Sequence, residues 1–117
     1  MAGQSRRPYF SNNGTSTKAA IKAGEAHLFA LEVSNPNTDD AFIQLFDAAI
    51  ANVTVGSTTP TLSLLVPAGQ SSTVRGAMDK DYPDGVFFGS GITYACTTTP
   101  TGSTNPTSAL TINALTS

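Results

Sequence analysis

The stretch LEVSNPNTDDAFIQLFDAA, from Leu31 to Ala49, decides how this chain folds. Phe29, Leu31 and Val33 alternate with Ala30, Glu32 and Ser34, the period-two pattern of a half-buried strand. SNPNTDD then supplies turn chemistry: Pro36 fixes its own φ, and the Asn and Asp side chains bond back to the local backbone. AFIQLFD resumes as a strand, with Phe42, Gln44 and Phe46 on one face and Ile43 and Leu45 on the other. Both faces are largely apolar, so this strand is either central or meets a partner with its outer face. Asp39 and Asp40 sit at the break. Neighbouring residues of a strand point to opposite sides, which does not suit a paired-carboxylate mechanism. The stretch reads as a hairpin, not as an active-site loop.

The same punctuation continues on either side. Residues 1–16, with Pro8 and the cluster SNNGTS, read as an extended basic N-terminal arm whose deletion is expected to spare the fold. Residues 17–117 read as a single domain. TLSLLVP places Leu62, Leu64 and Val66 together; VFFGSGITYACTTT reads as a strand, a Gly-Ser-Gly bend that lets a strand bend or switch sheets, and a second strand; TSALTINAL closes with Leu110 and Ile112 on one face. Seven to eight short strands with turn signals about every ten residues predict an all-β, antiparallel β-sandwich of jelly-roll type.

Composition agrees. Charged residues are 12% of the 117, while Ser and Thr number 29, a balance that favours strands and an uncharged surface suited to protein contacts. Charge is lopsided: residues 1–22 hold Arg6, Arg7, Lys18 and Lys22 and no acid (+4), and the rest holds Arg75 and Lys80 against eight acids (2 − 8 = −6). A basic segment on an acidic body docks on nucleic acid or on an acidic neighbour. Four spread cations with Tyr9 and Phe10 between them are too sparse for nucleic acid. Arg6, Arg7, Tyr9, Phe10, Lys18 and Lys22 are therefore candidates for contact with a protein partner. QSRRPYF resembles the start of a twin-arginine export signal but lacks the apolar run that must follow. No segment is apolar enough to cross a bilayer, and the sequons at Asn13 and Asn52 carry little weight without a secretory context.

Candidate chemistry is sparse. Cys96, the one cysteine, alternates with Ile92 and Tyr94 and reads as a small buried residue. His27, the one histidine, reads as structural or rim. DKDYPDG carries Asp79, Asp81 and Asp84, but calcium-loop spacing fails at the third acid and at Ser90. A solvated turn is expected there, with a looser oxygen-ligand site on the three aspartates as the alternative and Tyr82 the one candidate glycan contact. Ser90 has no evident base. Arg75, Tyr82 and Tyr94 could line a contact surface. No cofactor, metal or catalytic residue is expected, and the chain reads as a non-enzyme.

SNPN, FIQLFDA, TVGSTTP, VPAG and GITYACTTT, in that order over residues 28–99, resemble a group of small phage- and prophage-encoded virion proteins. The chain departs from their pattern at RGAMDKDYPDGVFFG, which is longer and more polar. The resemblance implies a capsid decoration (cement) protein on the outside of the phage head. Its partners would be the major capsid protein and further copies of itself in a homotrimer, with neither nucleic acid nor membrane bound. The alternative is a tail or fibre module that recognises a host surface.

Overall fold

The computed structural model describes residues 6–73 and 85–117. Among these residues the strands are β1 (Arg7–Gly14), β2 (Ala19–Ala23), β3 (Ala26–Ser34), β4 (Ala41–Asp47), β5 (Leu62–Val66), β6 (Ser71–Thr73), β7 (Val86–Phe88), β8 (Gly91–Thr97) and β9 (Leu110–Thr116), with a 3-10 turn at Ile50–Asn52. Pairing is antiparallel throughout. One sheet runs β1-β9-β3-β6, with β7 also on β3; the other runs β2-β8-β4-β5.

β6 and β7 lie in tandem along the same side of β3, at Glu32–Ser34 and Ala26–Leu28. Among the described residues, nine segments thus fill eight strand positions, at the upper end of the seven to eight expected from the turn signals. The pairs are β1 with β9, β2 with β8, β3 with β6 and β7, and β4 with β5. This is one long antiparallel hairpin folded over itself, the double-sheet jelly roll. The chain changes sheets at Gly89–Ser90, where β7 ends and β8 begins, and the Asp47 carboxylate accepts the N–H groups of both residues at 3.2 and 2.8 Å.

The core lies between the sheets. β8 is buried along its whole length, and Ile92, Tyr94 and Cys96 meet Leu28, Leu31 and Val33 from β3 and Leu110 and Ile112 from β9. Each such aliphatic side chain contributes about 1.5–3 kcal/mol by burial. β4 is central, between β8 and β5, and its outer face is covered by the chain itself. Phe46 packs with Val53 and Ala95, backed by Ala48 and Val55, in a second apolar cluster. The Gln44 amide, fully buried, donates to Thr97 Oγ1 at 2.7 Å and to the Gly102 carbonyl at 3.0 Å, which ties down the segment after β8.

Three expectations change. The stretch Leu31–Ala49 turns as expected but is not a hairpin, since β3 pairs with β6, β7 and β9 and β4 with β5 and β8, so its turn carries the chain from one sheet to the other. Phe29 does not share a face with Leu31 and Val33. The β3–β9 register shifts between Leu28 and Ala30, a bulge whose extra residue sends Leu28 to the core. Phe29 instead lies beneath Arg6, whose guanidinium carbon is 4.2 Å from its ring centroid. The N-terminal segment is extended, but residues 7–14 are hydrogen-bonded along β9 instead of standing off as an arm, so the sandwich begins at Arg7 and not at residue 17. Pro8 fits there because β1 is a sheet edge, where a missing N–H is tolerated. Deleting residues 1–16 would strip a strand from the roll.

Candidate functional site

The outer faces of the two sheets differ. That of β8 and β4 lies under the chain's own turns, as Phe46, Ala95, Gln44 and Thr97 are all buried. That of β1-β9-β3 is open. Register sets its rows: Pro8, Leu115 and Ala30 lie side by side, and Phe10, Asn113 and Glu32 form the next row. A shallow groove of about 320 Å³ runs over these residues. Phe10 is 64% exposed, and Phe87, across from His27 on β7, is 54% exposed. The His27 ring lies near both Phe87 (centroids 5.1 Å apart) and Phe29 (6.3 Å, nearly parallel).

The structure separates the residues the sequence groups together. Arg6, Arg7 and Phe10 are exposed, and Arg6 and Phe10 belong to the open face. Tyr9 turns inward, where its hydroxyl meets that of Tyr94 at 2.8 Å and the rings pack edge to face at 5.9 Å. Lys18 and Lys22 belong to the other sheet's edge, and both are used internally. Lys18 Nζ donates to the Val53 carbonyl, and Lys22 Nζ donates to the Ser117 carbonyl at 2.9 Å. The four cations therefore do not form one basic patch. Asp79, Asp81, Tyr82 and Asp84, together with Arg75, lie outside the described residues.

Tyr94 is interior, not surface-lining as the sequence suggested. Burial, foremost, pushes its hydroxyl pKa well above the ordinary value; the Tyr9 hydroxyl adds to the rise and Ser11 opposes it. Cys96 is fully buried, and burial pushes its thiol up to about 12. A group so protonated is a poor nucleophile. Asp40 accepts the Ala68 N–H at 3.0 Å, and Asp39 offers its backbone carbonyl to Asn35; these acids hold turns. Among the described residues, no cluster of three or more His, Cys, Asp or Glu side chains could hold a metal ion, and no helix is long and apolar enough to cross a membrane.

Sequence reasoning missed Leu115, Ala30, Glu32, Asn113 and Phe87 as members of one surface. Leu115 carried a signal, being apolar and out of phase with Leu110 and Ile112. The rest depends on strand order, which no local pattern encodes. The groove is apolar along the Pro8–Leu115–Ala30 row, carries Asn113 in the next, and is bordered by Arg6 and Glu32. In comparisons with known proteins, no family model, no curated protein and no solved structure matches the chain.

Proposed function

We propose that this protein is a non-enzymatic structural component of a phage particle. It would decorate the outside of the head and stabilise the shell through contacts with the major capsid protein and with further copies of itself, in rings of three. One observation carries the reading: the outer face of the sheet formed by β1, β9, β3 and β7 leaves Pro8, Phe10 and Phe87 exposed around the half-buried Leu115, while on the other sheet the outer side chains of the central strands β8 and β4, Ala95, Thr97, Gln44 and Phe46, are buried and Leu65 on the edge strand β5 is exposed. Exposed apolar patches of this kind mark protein contact sites, and low overall charge suits dense packing of copies. The motif resemblance over residues 28–99 supplies the phage setting. The jelly roll is used by capsid and lectin domains alike, so fold alone does not choose between them.

Several weak contacts made at once by a closed ring add up to durable attachment. The second reading, a tail or fibre module, rests on Tyr82 and the acids beside it in DKDYPDG. The experiment is the copy number of this chain in purified particles, by quantitative mass spectrometry against the major shell protein. Hundreds of copies support decoration, a handful transfers the chain to a tail or fibre, and absence overturns both.

A further inference from the structure

The open face also carries a charge pattern that a second copy of the same face would satisfy. On its β3 flank the order along the strand is the Arg6 guanidinium over Phe29, then Ala30, then Glu32. On its β1 flank the order is Pro8, then Phe10, with Leu115 and Asn113 between the flanks. Successive rows of one sheet face are about 7 Å apart. Consider a two-fold axis lying in the plane of contact, across the strands, between the Leu115 row and the Asn113 row. It reverses the order along each strand and keeps each flank on its own side. Ala30 then faces the partner's Glu32 and Leu115 the partner's Asn113, and the Arg6 guanidinium, over Phe29 and one residue further along, comes beside the partner's Glu32 on each flank. Phe10 stacks on the partner's Pro8, and both leucines at position 115 are enclosed.

We propose that this face pairs with the same face of a second copy, sheet on sheet. The inference rests on the assembly reading above and names the occupant of the face. Charge chooses a copy of this chain as that occupant: among the described residues, the rows of the face carry the exposed cation Arg6 at one end of the β3 flank and the exposed anion Glu32 at the other, an order that a reversed copy complements. Strands of the two sheets run close to aligned, a standard geometry for packed sheets. Edge-to-edge pairing through β1 is disfavoured by Pro8, which has no N–H to give. The patch spans three strands and a few rows, smaller than the roughly 800 Å² per partner of a stable complex. The contact is therefore weak in dilute solution and becomes effective between copies already held side by side, including between neighbouring rings.

The test is sedimentation equilibrium of the purified full chain over a wide concentration range. The expected result is a mass that doubles with concentration, from one to two copies or from three to six, and less readily at high salt. Phe10→Ser abolishes the doubling while thermal unfolding is unchanged. Arg6→Glu and Glu32→Arg each weaken it about tenfold, two ion pairs being lost and two repulsions made. The double reversal restores it. A mass that never doubles, or a double reversal as weak as the single ones, overturns the proposal. Copy number in particles separates the two readings. Full incorporation without self-association overturns the pairing alone, and self-association without incorporation overturns the virion reading alone.

Discussion

A methyl group at position 14 has nowhere to go. A Cβ there would stand 2.9 Å from the Leu110 carbonyl oxygen, 3.0 Å from Cys96 Sγ and 3.0 Å from Ile112 Cδ1, so Gly14 is set by close approach. Gly14→Ala is expected to destabilise the protein by about 1–3 kcal/mol, read as a lower urea midpoint at unchanged slope. Its neighbour Cys96 links stability to pH. The unfolded thiol loses its proton near the ordinary value of 9.0, the folded one only near 12. Between those values the unfolded state holds fewer protons, so stability is full below about pH 9 and falls as pH rises towards 12. Tyr94, also shifted upward by burial, adds to the fall at its upper end. Denaturant midpoints across that window should decline in the native protein, and Cys96→Ala should flatten the early part. Burial of Cys96 was legible from its alternation with Ile92 and Tyr94. The demand on Gly14 was not, because β8 and β9, which crowd it, lie far along the chain.

Turn chemistry was the best-written element of the sequence. Asn35, buried, donates through its side-chain amide to the carbonyls of Asp39 and Val66, both at 3.0 Å, and accepts from the backbone and side chain of Asn37. SNPNTDD announced such a turn. It did not announce that Asn37 would also clasp Ser108, donating to its carbonyl at 2.9 Å and accepting its N–H at 2.7 Å. Asn35→Ala should cost about 2–3 kcal/mol, since it leaves buried groups unpaired, and should leave β4 in register, as judged by an unchanged circular dichroism spectrum. The bulge in β3 was illegible for a physical reason: a period of two cannot reveal an inserted residue, and Phe29 is apolar enough for either face. Gly91 is legible only in part. GSG signals a bend, but its φ of +143° and the Ala48 carbonyl 3.1 Å from where a Cβ would lie show why this bend refuses a side chain.

For the whole molecule, the count of strands and the sandwich class were legible, because both follow from alternation and turn spacing. Strand order was not, and with it went the composition of the open face. β9 illustrates the loss: TINALT reads as one strand, yet its two sides serve different ends, Ile112 and Ala114 in the core and Leu115 in the groove. The N-terminal segment shows the converse. Its basic character suggested a detached arm, whereas its register with β9 and the turn of Tyr9 into the interior make it part of the roll. Removing residues 1–16 should therefore yield a chain that unfolds at lower denaturant or precipitates, instead of a folded core lacking only its contacts. Solubility and the unfolding midpoint of the truncated chain check this.

The pairing of β1 with β9 joins Arg7 to Thr116, residues on the order of a hundred positions apart. Translation at ~5–20 residues per second means that β1 leaves the ribosome roughly 5–20 s before its partner exists. The interval is set by spacing within the chain, wherever the chain starts. Through it, a strand with no neighbour must avoid finding a wrong one among nascent chains. Arg6 and Arg7 repel like copies, and Pro8 breaks the ladder that an aggregate would extend. The residues that equip the finished surface are thus the same ones that guard the unfinished polypeptide.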